Sequence, residues 1–309
     1  MSAPRGVLAV VGPTATGKSA LAVEVALRLG GEVISADAFT AYRGIDAGTA
    51  KPAIEERRGV PHHLVDIKEP ADPFSAGEFA RLARAASLEI LSRGKLPILC
   101  GGTGFYVRAF FEGLFVGPPR DERLREALRT LQDRRGAPWL VRALGLIDPE
   151  SGARISQRDG ARAIRYLEIA FSTGRRPSDL FRERPGERWE GPSVKVALTL
   201  PRPILYGRIE RRFRESIMTR LPDEVRRLLE VGVPSTAPAM AAIGYRETVE
   251  LVEGRMSADD WSESVVRQTR RYAKRQETWF RSEPDLLLFR ADSPGLVDEV
   301  VAASSPLLS

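Results

Sequence analysis

The chain has 309 residues, 43% of them hydrophobic and 28% charged, the balance of an ordinary globular protein with one large or two modest domains. Its net charge of +6, carried mostly by arginine, suggests an anionic partner such as nucleic acid. A single cysteine, Cys100, excludes an internal disulfide and suits a reducing, cytoplasmic setting; no apolar run approaches a membrane span, and no signal peptide is expected before the first strand.

In chain order, Val7 to Val11 is an apolar run that reads as a short buried strand. Gly12-Pro13-Thr14-Ala15-Thr16-Gly17-Lys18-Ser19 follows, and Ala20 to Leu27 is rich in helix formers. Strand, glycine loop and helix give the pattern GxxxxGK[ST] in the setting it requires. Backbone amides and the helix N-terminus favour phosphate oxygens there, Lys18 adds a full positive charge, and Ser19 offers a hydroxyl to Mg²⁺.

A second strand is expected over Glu32 to Ala36, ending at Asp37, and a third over His63 to Ile67. Phe74 to Arg93 has a helical period, with Phe79, Leu82, Ala86 and Ile90 on one face. Leu96 to Cys100 reads as a buried strand closed by Gly101-Gly102-Thr103-Gly104. Strands alternating with helices predict an α/β fold, a P-loop NTPase-like parallel sheet flanked by helices. Ligands of such sheets bind beyond the carboxyl ends of the strands, where the P-loop, Asp37 and Gly101 to Gly104 all fall.

Asp37 at that edge is suited to holding Mg²⁺ or to taking a proton. Many phosphate-hydrolysing P-loop enzymes end the strand corresponding to Leu96–Cys100 in an acid; small residues and Thr103 stand there instead. The expectation is that the glycines make room for a bulky group. His62 and His63 have no companions spaced as metal ligands and are read as structural.

After Val116 the pattern changes. Arginine-rich helices are expected over Leu124 to Arg134, Pro138 to Leu146 and Gly160 to Thr173, and a strand that returns to the core sheet over Val194 to Leu200. The predicted domains are a P-loop core of 1–116 with 200–309 and a mainly helical insertion of 117–199. Long helical stretches follow over Ile204 to Val231 and Ser257 to Arg281. In the last, Arg267, Arg270, Arg271, Lys274 and Arg275 recur at helical spacing as a basic stripe, which suits a phosphodiester backbone. Val266, Thr269, Ala273, Gln276 and Phe280 are left to pack inward.

Together these stretches resemble the bacterial tRNA dimethylallyltransferases. Gly12 to Ser19 is similar to the family's GPTASGK[ST], Asp37 to Pro52 to DSxQxYxGxDIGTAKP, and Pro61 to Asp66 to PHHLID. Gly101 to Tyr106 resembles GGTGLY, Ile243 to Glu247 resembles IGYRE, and Lys274 to Arg281 resembles KRQxTWFR. The chain departs from the family pattern at Ala38, Thr40 and Ala161.

The resemblance implies transfer of a dimethylallyl group from dimethylallyl diphosphate to the adenosine 3′-adjacent to the anticodon, with Mg²⁺ as cofactor. It makes Asp37 the base and gives Thr103 a part in catalysis, with Gly12 to Ser19 around the diphosphate and Ser19 as metal ligand. The tRNA would meet Asp37, Ala38, Phe39, Thr40, Thr103 and Arg125, then Ala161, Arg162, Ala163, Ile164 and Arg165. It would also meet Gly244, Tyr245, Arg246, Lys274, Arg275, Gln276, Trp279 and Arg281. A monomer is expected, because no apolar surface repeat advertises an interface. Three other readings stay open on residues alone: a P-loop small-molecule kinase, a prenyltransferase acting on free AMP, and a nucleotide-gated RNA-binding protein without chemistry.

Overall fold

The computed structural model describes residues 5–115, 117–183 and 186–308. Six parallel strands form one sheet: β1 (Val7–Val11), β2 (Gly31–Ser35), β3 (His62–His63), β4 (Leu96–Gly101), β5 (Ser193–Thr199) and β6 (Leu286–Arg290). Their order is β3-β2-β4-β1-β5-β6. The chain leaves β1 towards β2 on one side and β4 towards β5 on the other, so the order reverses at the carboxyl ends of β1 and β4. A crevice at such a reversal is where open α/β sheets bind ligands.

The helices in chain order are α1 (Lys18–Leu29), α2 (Ile54–Arg57), α3 (Ala76–Ser92), α4 (Gly104–Glu112), α5 (Glu122–Arg135), α6 (Ala137–Ile147) and α7 (Pro149–Arg154). Then come α8 (Gly160–Thr173), α9 (Pro177–Glu183), α10 (Arg202–Arg212), α11 (Met218–Glu230), α12 (Tyr245–Val252), α13 (Ala258–Arg281) and α14 (Leu296–Ala303). β1 is buried at every position, as a central parallel strand covered on both faces must be. Leu21, Val25 and Leu29 of α1 close one face of the sheet, together with Val196, Leu198 and Val300.

Two compact units emerge, Met1–Phe111 with Trp189–Ser309, and Glu112–Arg188. The predicted limits of 117 and 199 are therefore corrected. Ser193–Thr199 pairs with β1 and β6 inside the sheet and is core, not insertion. Val116, the expected turning point, lies outside the described residues. Within the helical unit, α5, α6 and α8 enclose Leu128, Leu140, Leu144, Ile164 and Leu167.

Three other expectations change. The strand predicted over His63 to Ile67 shrinks to His62–His63, because Leu64 and Asp66 adopt positive φ (62° and 55°), which breaks extended pairing. The helix expected from Ile204 to Val231 is interrupted by a π-helical turn at Phe213–Ile217, and Pro222, with no N–H to donate, follows inside α11. β6 and α14 were not foreseen. The first is a five-residue edge strand and largely exposed, so its sequence carries no buried pattern.

Candidate active site

Gly17 takes a left-handed conformation (φ 89°) and caps α1, so the loop from Gly12 turns directly into the helix N-terminus. The Thr16 hydroxyl and the Lys18 ammonium both donate to the Pro13 carbonyl, at 2.8 and 2.7 Å. Lys18 thus lies folded over its own loop, where incoming phosphate oxygens would replace a single carbonyl. Burial pushes this ammonium down to about 8, with the Asp37 carboxylate among the charges opposing that shift. Bound phosphate would raise it again.

Asp37 follows β2, and its Oδ1 accepts the Phe39 N–H at 2.9 Å in an Asx-type turn. The Thr40 amide is a second backbone donor to the same carboxylate. Burial pushes the Asp37 carboxyl above its usual range, outweighing the Phe39 amide, Lys18 and Arg212, all of which favour the anion. Arg212, the last residue of α10 before the π turn, faces Asp37 and Lys18; its Nε is buried without a hydrogen-bond partner. Sequence reasoning missed it. The only available signal was an arginine one position before a helix irregularity that the sequence does not reveal.

Thr103 reaches the same place from the end of β4: its hydroxyl accepts the Ala38 N–H at 3.4 Å. The glycines around it do not open space for a bulky group, as had been expected. A Cβ on Gly102 would lie 2.3 Å from the Gln276 amide nitrogen, and one on Gly104 would lie 2.2 Å from the Trp279 ring. The chain's own α13 fills that room. Gln276 accepts the Thr14 N–H at 2.9 Å and donates to the Gly102 carbonyl at 2.8 Å, bracing both loops. Tyr272, from the same helix, faces Thr103 and Asp37; burial first, then the Asp37 charge, push its phenol up to about 12.

Cys100 occupies the strand end where a hydrolytic acid was absent. Its thiol contacts Ser19, and burial pushes it up to about 11, so it stays neutral. Among the described residues no group of three His, Cys, Asp or Glu side chains could hold a metal ion.

A family model described as IPP transferase matches residues 40–283, and one described as isopentenyl transferase matches residues 5–69. The chain belongs to the IPP transferase family. A tRNA dimethylallyltransferase of Thermomicrobium roseum is 44% identical over 97% of this chain and 91% of that protein. One of Geobacillus thermodenitrificans is 43% identical over 93% and 91%. The crystal structure of a tRNA isopentenylpyrophosphate transferase from Bacillus halodurans is 38% identical, with a TM-score of 0.72 over 98% of this chain and 96% of that one. A eukaryotic dimethylallyltransferase structure shares the fold at 24% identity, TM-score 0.80, over 97% and 77%.

Within this member of the IPP transferase family, the residues expected to meet RNA divide into two groups. Ala161, Arg162, Arg246, Lys274, Arg275 and Arg281 are exposed, and Ala38, Phe39, Thr103 and Trp279 are half-buried. Ala163 and Ile164 are 0% and 7% exposed in the core of the helical unit, so their side chains are not RNA contacts. Arg125 and Arg165 both pair with the buried Glu168 carboxylate and brace that unit.

Thr40, 6% exposed, shares a hydrogen bond with Ser35. Gln276 and Tyr245 are buried and engaged internally, and Gly244 is the buried left-handed cap of α12.

The basic stripe is also uneven. Arg270 pairs with Glu210 and lies over the Tyr206 ring at 5.3 Å, whereas Arg267, Arg271 and Lys274 have no acidic partner among the described residues. These three border a groove of about 720 Å³ with Tyr206 and Phe213.

Proposed function

We propose that the protein transfers the dimethylallyl group of dimethylallyl diphosphate to the exocyclic amine of the adenosine 3′-adjacent to the anticodon of tRNA. The observation that carries this reading is the convergence of Lys18, Asp37, Thr103 and Arg212 on one crevice whose neighbouring strand ends in a neutral thiol instead of an acid. The membership of the IPP transferase family supports it independently. The same thiol argues against a phosphate-hydrolysing or kinase-like use of the P-loop.

In the reaction, the C1–O bond of the allylic diphosphate breaks and its electron pair leaves on pyrophosphate. The adenine amine attacks C1 of the allylic cation, and its proton passes to Asp37. Loop amides at the α1 N-terminus, Lys18 and Arg212 stabilise charge developing on the leaving group. The amine lone pair is delocalised into the ring, so a base is useful as the C–N bond forms. Asp37, placed in the crevice beside Lys18 and Arg212, is the group for it.

Ser19, in the first turn of α1, would hold Mg²⁺ through its hydroxyl. That ion accepts a site of one protein oxygen completed by diphosphate oxygens and water, so the sparse donor set fits it. Bound there, it would neutralise charge on the diphosphate. The adenosine must leave its stack, at a cost of a few kcal/mol. Phosphate contacts from Arg162, Arg246, Lys274, Arg275 and Arg281 would offset this, with the helical unit of 112–188 sharing in tRNA contact. As part of this reading the protein acts on tRNA as a monomer in the cytoplasm. Among the described residues no helix is long and apolar enough to cross a membrane.

Incubation with isotopic dimethylallyl diphosphate and unmodified tRNA, free AMP or ATP tests the assignment. Label is expected in tRNA alone. Label in AMP, or phosphate release from ATP indifferent to tRNA, would overturn it.

A further inference from the structure

The segment from Asp37 to Lys51 carries the proposed base at one end and is fastened by remote side chains at the other. Glu224 of α11, only 5% exposed, accepts the backbone N–H groups of Asp46 at 3.0 Å and Ala47 at 2.9 Å. It also accepts the Tyr245 hydroxyl at 2.5 Å, and that hydroxyl accepts the Gly48 N–H at 3.3 Å. The Tyr245 ring closes so tightly on Gly48 that a Cβ there would lie 2.5 Å from it.

Lys51, its side chain 4% exposed, donates to the Tyr42 carbonyl at 2.7 Å and pairs with Asp46 and Asp66. Nearer Asp37, the Thr40 carbonyl accepts the Asp66 N–H and the Ala41 carbonyl accepts the Lys68 N–H.

A buried carboxylate is costly unless donors surround it. Glu224 has three, none of them a cation, and two come from the backbone of this loop. The helical run that bears Glu224 also bears Arg212, across the π turn, and Arg212 faces Asp37. Asp37 and Arg212, two of the three charged groups of the crevice, therefore come from elements that Glu224 joins.

We propose that Glu224 is a positioning residue: by gripping the Asp46 and Ala47 amides it sets the Asp37 loop against the helix that bears Arg212. Tyr245 completes the grip. Within the stretch Ile243 to Glu247 that resembles a family motif, Tyr245 then serves this buried clasp, and the exposed Arg246 is the residue left for RNA. The proposal rests on the role given to Asp37 above.

The test is a double-mutant cycle in single-turnover transfer, with Glu224→Gln, Asp37→Asn and their combination, read beside amide hydrogen exchange of residues 44–49. Glu224→Gln keeps the shape but turns an amide donor towards a backbone N–H. Displacing Asp37 by a fraction of an ångström is expected to slow transfer about ten- to hundredfold. In the Asp37→Asn background the same change should cost about twofold or less, because the group it positions is gone. Exchange over 44–49 should quicken in both backgrounds.

Equal slowing in the two backgrounds, the mark of a general strut, overturns the proposal, as does unchanged exchange. If Glu224→Gln fails to fold, Tyr245→Phe, which removes one donor, is read in the same cycle with a smaller factor. Wild-type protein that transfers nothing to tRNA would overturn the functional assignment instead, while exchange still tests the clasp.

Discussion

At the scale of single residues, Asp37 stands in a turn and, in the proposed reaction, serves as the base, two duties that sequence alone set against each other. Its Oδ1 holds the Phe39 amide, and the carboxylate lies near Lys18 and Arg212. Asp37→Asn keeps the amide-accepting oxygen, so the turn should survive while the base is lost. We expect kcat to fall about a hundredfold or more with little change in either KM. A rise in KM for tRNA at constant kcat would make Asp37 a binding residue.

The pH dependence follows from the direction of its shift. Burial raises the carboxyl above 3.8, and the proposed reaction needs the anion, so activity should be lost as pH falls through that raised value. Bound diphosphate adds negative charge and moves the limb further up. The acid limb of kcat/KM should therefore lie above pH 3.8 and vanish in Asp37→Asn; a limb at the ordinary value contradicts the burial argument.

At the scale of elements, α13 serves both the crevice and the surface. Its inner face carries Gln276 and Tyr272 to the two loops, and its outer face carries the cations. Along this stripe, the cations without an internal acid have the most charge to offer phosphates. Lys274→Ala and Arg271→Ala should each flatten the salt dependence of tRNA binding by about one unit of slope. Arg270→Ala should leave the slope nearly unchanged, since Glu210 already neutralises it. Equal slopes for all three would make the stripe a solvated face.

The helical unit has its own buried anchor. Burial alone would raise the carboxyl of Glu168, but Arg165, the Asp121 amide and Arg125 outweigh it and hold it below 4.5. A carboxylate depressed in the folded state stabilises fully above its unfolded value and loses that contribution as pH falls through the folded one. Proteolysis within 112–188 should therefore quicken below about pH 4.5. Glu168→Gln should speed it already at neutral pH, with a cost of about 3 kcal/mol for leaving two arginines half-paired.

At the scale of the whole molecule, one parallel sheet brings loops from distant parts of the chain to a single edge. With a neutral Cys100 in place of an acid, that edge should bind dimethylallyl diphosphate in preference to ATP; competition in which ATP wins would contradict this.

The P-loop, β1, β2, β4, Asp37 and Thr103 were legible in the sequence. Short-range patterns dictate them: an apolar strand, a glycine that must turn left-handed, a helix former behind it. The same local rules predicted the inward face of α13. They could not say what that face meets. That Gln276 braces Thr14 against Gly102, that Trp279 fills the space above Gly104, and that Arg212 stands opposite Asp37 depends on contacts between residues far apart in the chain. A buried arginine and an exposed one look alike in sequence. Their roles diverge only when folding decides which acid, ring or amide lies beside each, and how much water remains.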